Sequence, residues 1–181
     1  MDTWTSILDD GGSVDIVYMD FQKAFDSVPH KRLISKIKAH GIRGKVISWI
    51  ENFLTDRRQT VVVNTAESSE VPVTSGIHQG SVLGPVLFVL YINDLPAVVQ
   101  NPLRLFADDT KVFIRSDQEG ARESLQKDLT RLQDWFVKWL LKFHPQKYHV
   151  LKLGYKMSEG IHKMTGRNKI GEEVDIILTE S

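Results

Sequence analysis

The sequence predicts an α+β domain: helices packed on one face of an antiparallel sheet. Two observations carry this. Apolar runs of strand length flank the adjacent pair Asp108-Asp109: Leu103, Leu105 and Phe106 before it, Val112, Phe113 and Ile114 after it. That reads as strand, tight turn, strand. Further along, Leu125, Leu129, Leu132, Phe136 and Trp139 recur at spacings of four, three, four and three, the stripe of a helix lying on a core.

The elements follow in order. Asp15 to Met19 is a strand-like run ending at Asp20. Pro29 to His40 reads as a helix, with proline early, Leu33, Ile34 and Ile37 on one face and Gly41 as a stop. Lys45 to Leu54 is a second, mostly buried helix. Gln59–Val63 and Glu70–Thr74 read as a hairpin around a loop of Thr65, Ala66, Glu67 and Ser68. Val82 to Leu95 is an apolar helix with Pro85 in its first turn. After the aspartate hairpin a helix spans about Glu119 to Leu141, and Tyr148–Leu153 alternates as a strand. Lys156–Lys169 is polar and glycine-containing, and Val174–Leu178 is a final short strand.

Composition sets bounds. At 181 residues the chain can bury a sizeable core. It lacks cysteine, which excludes disulfides and thiolate zinc sites and fits an intracellular protein. No secretory signal is visible, and the longest apolar stretch, Val82–Ile92, is too short for a membrane span, so no membrane partner is expected. The formal net charge is zero, yet Ser27–Gln59 carries eight basic residues against Glu51 and Asp56, a local charge of +6. Lys31, Arg32, Lys36, Lys38, Arg57 and Arg58 of this segment fit either a phosphate-backbone track or a solvated helical face.

Asp20, Asp108 and Asp109 end strands that can meet in space. Hard cations such as Mg²⁺ take oxygen ligands, commonly one or two carboxylates plus substrate phosphates. Two such ions about 3.5–4 Å apart clamp the attacking and leaving oxygens of a phosphoryl transfer. An aspartate pair is also an ordinary turn former. Asp26 reads as a helix cap. The six histidines show no metal-ligand spacing.

Three segments in order carry a family resemblance: Asp20-Phe21-Gln22-Lys23-Ala24-Phe25-Asp26, Ser75-Gly76-Ile77-His78-Gln79-Gly80-Ser81-Val82-Leu83-Gly84-Pro85, and Phe106-Ala107-Asp108-Asp109. Together they resemble the palm of a reverse transcriptase of the non-LTR, LINE-like and jockey-like retrotransposon type, over residues 12–154. Residues 1–11 and 155–181 are expected to be poorly defined ends, and the fingers and thumb of the family to be largely absent. The resemblance implies an RNA-directed DNA polymerase, a nucleotidyltransferase working on an RNA template, a DNA primer and dNTPs. It implies two Mg²⁺ ions, with Mn²⁺ as the alternative, held by Asp20, Asp108, Asp109 and the Phe21 carbonyl.

It further implies an aromatic gate against the ribose 2′-hydroxyl at Phe25, and nucleotide contacts at Gln79, Gly80 and Lys23. Lys147 falls where the family has a lysine that protonates pyrophosphate. His78 and His144 depart from the pattern, standing where proline and asparagine are usual. By family analogy the protein resides in the nucleus or cytoplasm. The competing reading is a catalytically inactive retrotransposon remnant that at most binds nucleic acid.

Overall fold

A computed structural model describes residues 3–107, 109–142, 147–154, 162–167, 173–177 and 179–180. The chain divides into two compact units, residues 1–22 with 94–181, and residues 23–93.

The first unit is built on a five-stranded sheet. Its elements are helix α1 (Thr3–Asp9), β1 (Val14–Asp20), β6 (Leu103–Phe106), β7 (Asp109–Arg115), helix α6 (Ala121–Trp139), β8 (His149–Leu153), β9 (Lys163–Arg167), β10 (Glu173–Ile177) and β11 (Thr179–Glu180). The strand order is β11-β8-β1-β7-β6. β1 pairs antiparallel with both neighbours, β6 pairs antiparallel with β7, and β11 runs parallel to β8 at the edge.

β1 lacks the alternation of a half-exposed strand because both its faces are covered where it begins. On the face of Val14 and Ile16, α1 lays Trp4, Ile7 and Leu8 against these two residues and Phe113, with the Trp4 ring edge-on to Phe113 at 5.4 Å. On the other face α6 contributes the predicted stripe: Leu125, Leu129, Leu132 and Phe136 are buried, and Phe136 meets Phe21 edge-on at 5.4 Å. Helices thus pack on the antiparallel sheet, the α+β arrangement expected from the sequence, and α1 adds cover on the face of Val14 and Ile16. That helix comes from residues 3–9, a segment expected to be poorly defined. A further difference is β9, which forms inside the polar Lys156–Lys169 stretch and pairs with β10. Met164 is the one apolar side chain of Lys163–Arg167, so β9 gives no hydrophobic alternation to read.

The second unit holds α2 (Ala24–Ser27), α3 (His30–Ala39), α4 (Lys45–Leu54), the two-residue strands β2 (Arg58–Gln59), β3 (Val62–Val63), β4 (Ala66–Glu67) and β5 (Val71–Pro72), and α5 (Leu83–Ile92). Leu33, Ile37, Ile50, Leu54, Leu87, Phe88 and Tyr91 form its core. The hairpin turns more tightly than expected. Asn64 takes the left-handed conformation (φ 56°), so Ala66 and Glu67 pair with Val62 and Val63 and do not sit in the loop. Pro85 occupies the first turn of α5, where its missing N–H costs nothing. Among the described residues no helix is long and apolar enough to cross a membrane.

One buried carboxylate fixes the approach to the aspartate hairpin. Asp128 on α6 is fully buried. It accepts the backbone N–H groups of Gln100 (3.0 Å) and Asn101 (2.8 Å), the Asn101 side-chain amide (2.8 Å) and Arg131 Nη1 (2.8 Å). Residues 100–101 lead directly into β6. Removing this acceptor leaves two backbone donors without a partner, each worth roughly 1–3 kcal/mol, while Arg131, 39% exposed, turns to water. Asp128→Ala should therefore lower the unfolding free energy by about 3 kcal/mol in urea titration. A loss below about 1 kcal/mol would refute the clamp.

Candidate active site

The end of β1 and the start of β7 bring two carboxylates together. Asp20 is paired directly with Asp109, the last rung of a ladder that begins at Val14 and Arg115. Phe106 closes the β6–β7 hairpin by pairing with Asp109, so the connection is the two residues Ala107-Asp108. Ala107 adopts a left-handed backbone (φ 53°), as a two-residue hairpin turn demands, although alanine prefers it far less than glycine or asparagine. Asp108 lies outside the described residues, and so does His144.

Lys147 flanks Asp20 on the opposite side. The β1–β8 register pairs Tyr18 with His149, and its continuation sets Lys147 opposite Asp20. The Lys147 ammonium donates to Asp20 Oδ2 at 2.5 Å. The pair is open to water, with side-chain exposures of 56% for Lys147 and 19% for Asp20. Such pairs contribute at most about 1 kcal/mol. A row Phe106–Asp109–Asp20–Lys147 thus crosses four chain segments. Phe21, next along, is buried against α6, and the Gln22 N–H donates to the Lys142 carbonyl at 2.7 Å, anchoring the chain as it leaves β1.

As cation ligands, Asp20 and Asp109 fit. They are hard carboxylate oxygens on adjacent strands, facing one another, and like charges so placed repel unless a cation intervenes. Among the described residues no group of three or more Asp, Glu, His or Cys side chains forms a metal cluster.

Behind Lys147 the chain is held by Tyr148, whose side chain is buried. Burial pushes its phenol above the ordinary value of 10.0. The folded chain therefore holds this proton more tightly than the unfolded chain. The associated stability is complete below about pH 10 and declines as pH rises past it, by about 1.4 kcal/mol per pH unit. Urea midpoints measured from pH 9 to 11.5 should show this alkaline limb, and Tyr148→Phe should flatten it. An unchanged limb in the variant would exclude Tyr148 as its source.

In the second unit, the other motif residues are organised by backbone contacts. The Ile77 N–H donates to the Phe25 carbonyl (2.8 Å) and the Gly76 N–H to the Val28 carbonyl (2.9 Å). The Ser75 hydroxyl donates to the Asp26 carbonyl (3.2 Å), and Pro29 bridges Ser75. His30 Nε2 lies 2.8 Å from the Gly76 carbonyl oxygen. Segment 75–77 is thereby fastened onto segment 25–29. Gly76 is required twice over: its φ is +92°, and a Cβ would come within 2.9 Å of the Asp26 carbonyl oxygen. Sequence reading passed over Gly76 individually, although it stands inside the quoted motif.

Gln79 and Gly80 form the exposed tip that follows, and the Ser81 hydroxyl closes the turn onto the His78 carbonyl (2.8 Å). Gly80 has φ +83° with open space where a Cβ would stand, so its backbone conformation is the reason for glycine within this chain. Phe25 is half-buried and stacks on Phe88 at 4.9 Å. Lys23 is exposed, also left-handed (φ 48°), and stands at the start of α2. Asp26 caps neither helix: it is the third residue of α2, and Lys23 and Pro29 hold the cap positions of α2 and α3.

Half of the eight cations of the basic segment are engaged within the protein. Lys36 is buried and donates to the Tyr91 carbonyl at 2.6 Å, neutralising the C-terminal end of α5, so its assignment to a nucleic-acid surface is corrected. Lys38 pairs with Glu51 (2.8 Å) and Arg58 with Glu70 (2.7 Å). Arg57 reaches the Gly76 carbonyl at 3.4 Å. Lys31 and Arg32 have no hydrogen-bond or ion-pair partner among the described residues.

A sheet with paired acids at the ends of two central strands, followed on one side by a lysine, has the architecture of a nucleic-acid polymerase palm. The chain belongs to the reverse transcriptase (RNA-dependent DNA polymerase) family, whose model matches residues 5–165. Its relatives are enzymes of non-LTR, LINE-like elements. It is 37% identical over 149 residues to the "Probable RNA-directed DNA polymerase from transposon BS" of Drosophila melanogaster, covering 77% of this chain and 16% of that protein. It is 32% identical to the RNA-directed DNA polymerase from mobile element jockey of the same organism, covering 72% and 15%. The chain thus spans about a sixth of the length of these relatives. Among solved structures, the fold resembles apo telomerase from Candida tropicalis truncated from its C-terminal domain, with a TM-score of 0.61, 12% identity, and coverage of 90% of this chain and 35% of that one.

Gly76→Ala tests the fastening of segment 75–77. The left-handed backbone alone costs a non-glycine residue about 1–2 kcal/mol. The melting temperature should fall by about 4 °C or more. A variant that melts with the wild type would show that Gly76 has another conformation in solution.

Proposed function

We propose that this chain carries the nucleotidyl-transfer centre of an RNA-directed DNA polymerase, adding dNTPs to the 3′-hydroxyl of a DNA primer on an RNA template. The observation that supports it best is the direct opposition of Asp20 and Asp109 at the open end of the sheet. Asp108, adjacent in sequence and the first aspartate of the Ala-Asp-Asp segment that resembles the family's motif, is assigned to the same acidic set. The proposed ligands of two Mg²⁺ ions, or Mn²⁺, are Asp20, Asp108, Asp109 and the Phe21 carbonyl. Bound there, such ions lower the pKa of a primer hydroxyl and stabilise the leaving oxygen.

The remaining assignments concern the chain's own groups. Lys147 rests on Asp20 through a weak, water-exposed contact, so it can release the carboxylate and give its proton to departing pyrophosphate. Phe25 is fixed by its stack on Phe88, which suits a ring that discriminates by bulk against a ribose 2′-hydroxyl. Gln79, Gly80 and Lys23 are exposed and suit contacts with the incoming nucleotide. Lys31 and Arg32, with Arg43 and Lys45 of the same segment, are open to a nucleic-acid backbone.

Primer extension on poly(A) RNA with annealed oligo(dT), thymidine triphosphate and Mg²⁺ tests the reading. Removing a carboxylate that holds charge in the transition state should cost about 4 kcal/mol, or about a thousandfold in rate. Asp20→Ala and Asp108→Ala should lose extension to that degree while melting like the wild type. Extension near the wild-type rate in either variant would overturn the site. A wild-type chain that binds primer–template without extending it would leave nucleic-acid binding and remove the catalytic part.

A further inference from the structure

The face of the sheet that holds Asp20 and Asp109 carries a second row of side chains directly behind them. Two residues back along each strand from Phe106, Asp109, Asp20 and Lys147 stand Arg104, Lys111, Tyr18 and His149. The registers pair Arg104 with Lys111, Lys111 with Tyr18, and Tyr18 with His149. Directly paired residues project to the same face, and residues two apart on a strand lie about 7 Å from each other. Helix α1 covers this face only further back, at Val14, Ile16 and Phe113.

Arg104 and Lys111 are adjacent cations, and among the described residues neither has a carboxylate partner. Asp109 lies two residues from Lys111 on the same face of the same strand. Yet the Lys111 ammonium turns the other way and sits 4.9 Å over the Tyr18 ring. The Arg104 guanidinium lies 5.9 Å over the Phe113 ring and reaches back to the Leu103 carbonyl at 3.3 Å. Aromatic faces thus hold both cations in place while leaving their N–H donors unpaired with any anion. Beside the acidic row, Phe106 is 81% exposed. A cation pair kept one row behind a carboxylate pair has the charge pattern of a polyanion track that ends at a cation-binding site.

We propose that Arg104 and Lys111 bind the phosphodiester backbone of the strand whose 3′ end lies at Asp20 and Asp109. They act as positioning residues for the primer terminus. This rests on the polymerase reading above.

The test is fluorescence anisotropy of a labelled DNA primer annealed to an RNA template, without nucleotide, from 50 to 300 mM salt. Arg104→Gln and Lys111→Gln should each weaken binding about fivefold at low salt and reduce the slope of log affinity against log salt by about one. Arg104→Lys should keep the slope, and Lys127→Gln, an exposed cation on α6, should match the wild type. Methylphosphonate at the last two primer linkages should weaken wild-type binding but leave the Arg104→Gln/Lys111→Gln double variant unaffected. A double variant that folds, melts like the wild type and keeps the wild-type slope overturns this assignment while the polymerase reading stands. A wild-type chain with no affinity for primer–template overturns both.

Discussion

The register of β1 against β7 is the constraint on which the site depends. β1 is covered on both faces where it begins, by α1 on the side of Val14 and Ile16 and by α6 on the other. A slip of one residue would turn each of these side chains to the wrong face. With Val14 set opposite Arg115, every later rung is determined, and the last is Asp20 against Asp109. The two carboxylates meet because of hydrophobic burial at the far end of the strands, about 20 Å away at 3.4 Å per residue. Asp128 reinforces this from the side of α6 by tying down residues 100–101 before β6 begins.

That arrangement imposes an electrostatic cost, and magnitudes show why the fold tolerates it. Two like charges about 4 Å apart repel by about 1 kcal/mol in water and about 4 kcal/mol in a partly buried setting. Fully burying one Val, Ile, Leu, Phe or Met side chain contributes about 1.5–3 kcal/mol. Val14, Ile16, Val17, Met19, Val112 and Phe113 are all buried along the same two strands. Packing therefore exceeds repulsion by a wide margin, and the acids stay where a cation can use them. Lys147 offsets part of the repulsion, but its contact with Asp20 is water-exposed and correspondingly weak.

Much of this was legible in the sequence, for a physical reason in each case. Helix α4 has the bounds expected from its apolar face, Lys45–Leu54, and β1 and β7 follow their apolar runs to within one or two residues. The aspartate hairpin was readable because a two-residue connection between apolar strands leaves few alternatives. What escaped depends on partners remote in sequence. By sequence Asp128 is one more polar position on an amphipathic helix, and only the backbone of residues 100–101, some 27 positions earlier, makes it a clamp. Lys36 looked like part of a basic face, but its ammonium finds the Tyr91 carbonyl 55 residues on. Asp26 looked like a cap because its residue type favours caps, while Pro29 and its bridge to Ser75 set where α3 begins.

The same distinction decides what charge means in this chain. Counting residues marks Ser27–Gln59 as the basic region, yet burial and ion pairing engage Lys36, Lys38 and Arg58 there, and Arg57 is turned onto Gly76. One row behind the carboxylates on the same sheet face stand Arg104 and Lys111, in strands that read as apolar and carry little local excess of charge. A cation on a strand is placed to within the pleat and points to a known face, whereas one on a helix surface has many neighbours to choose from. Availability to a polyanion is thus set by the partner each cation has in the fold. Here that criterion leaves Lys31, Arg32, Arg43 and Lys45 of the helical segment available and adds the sheet face beside Asp20 to them.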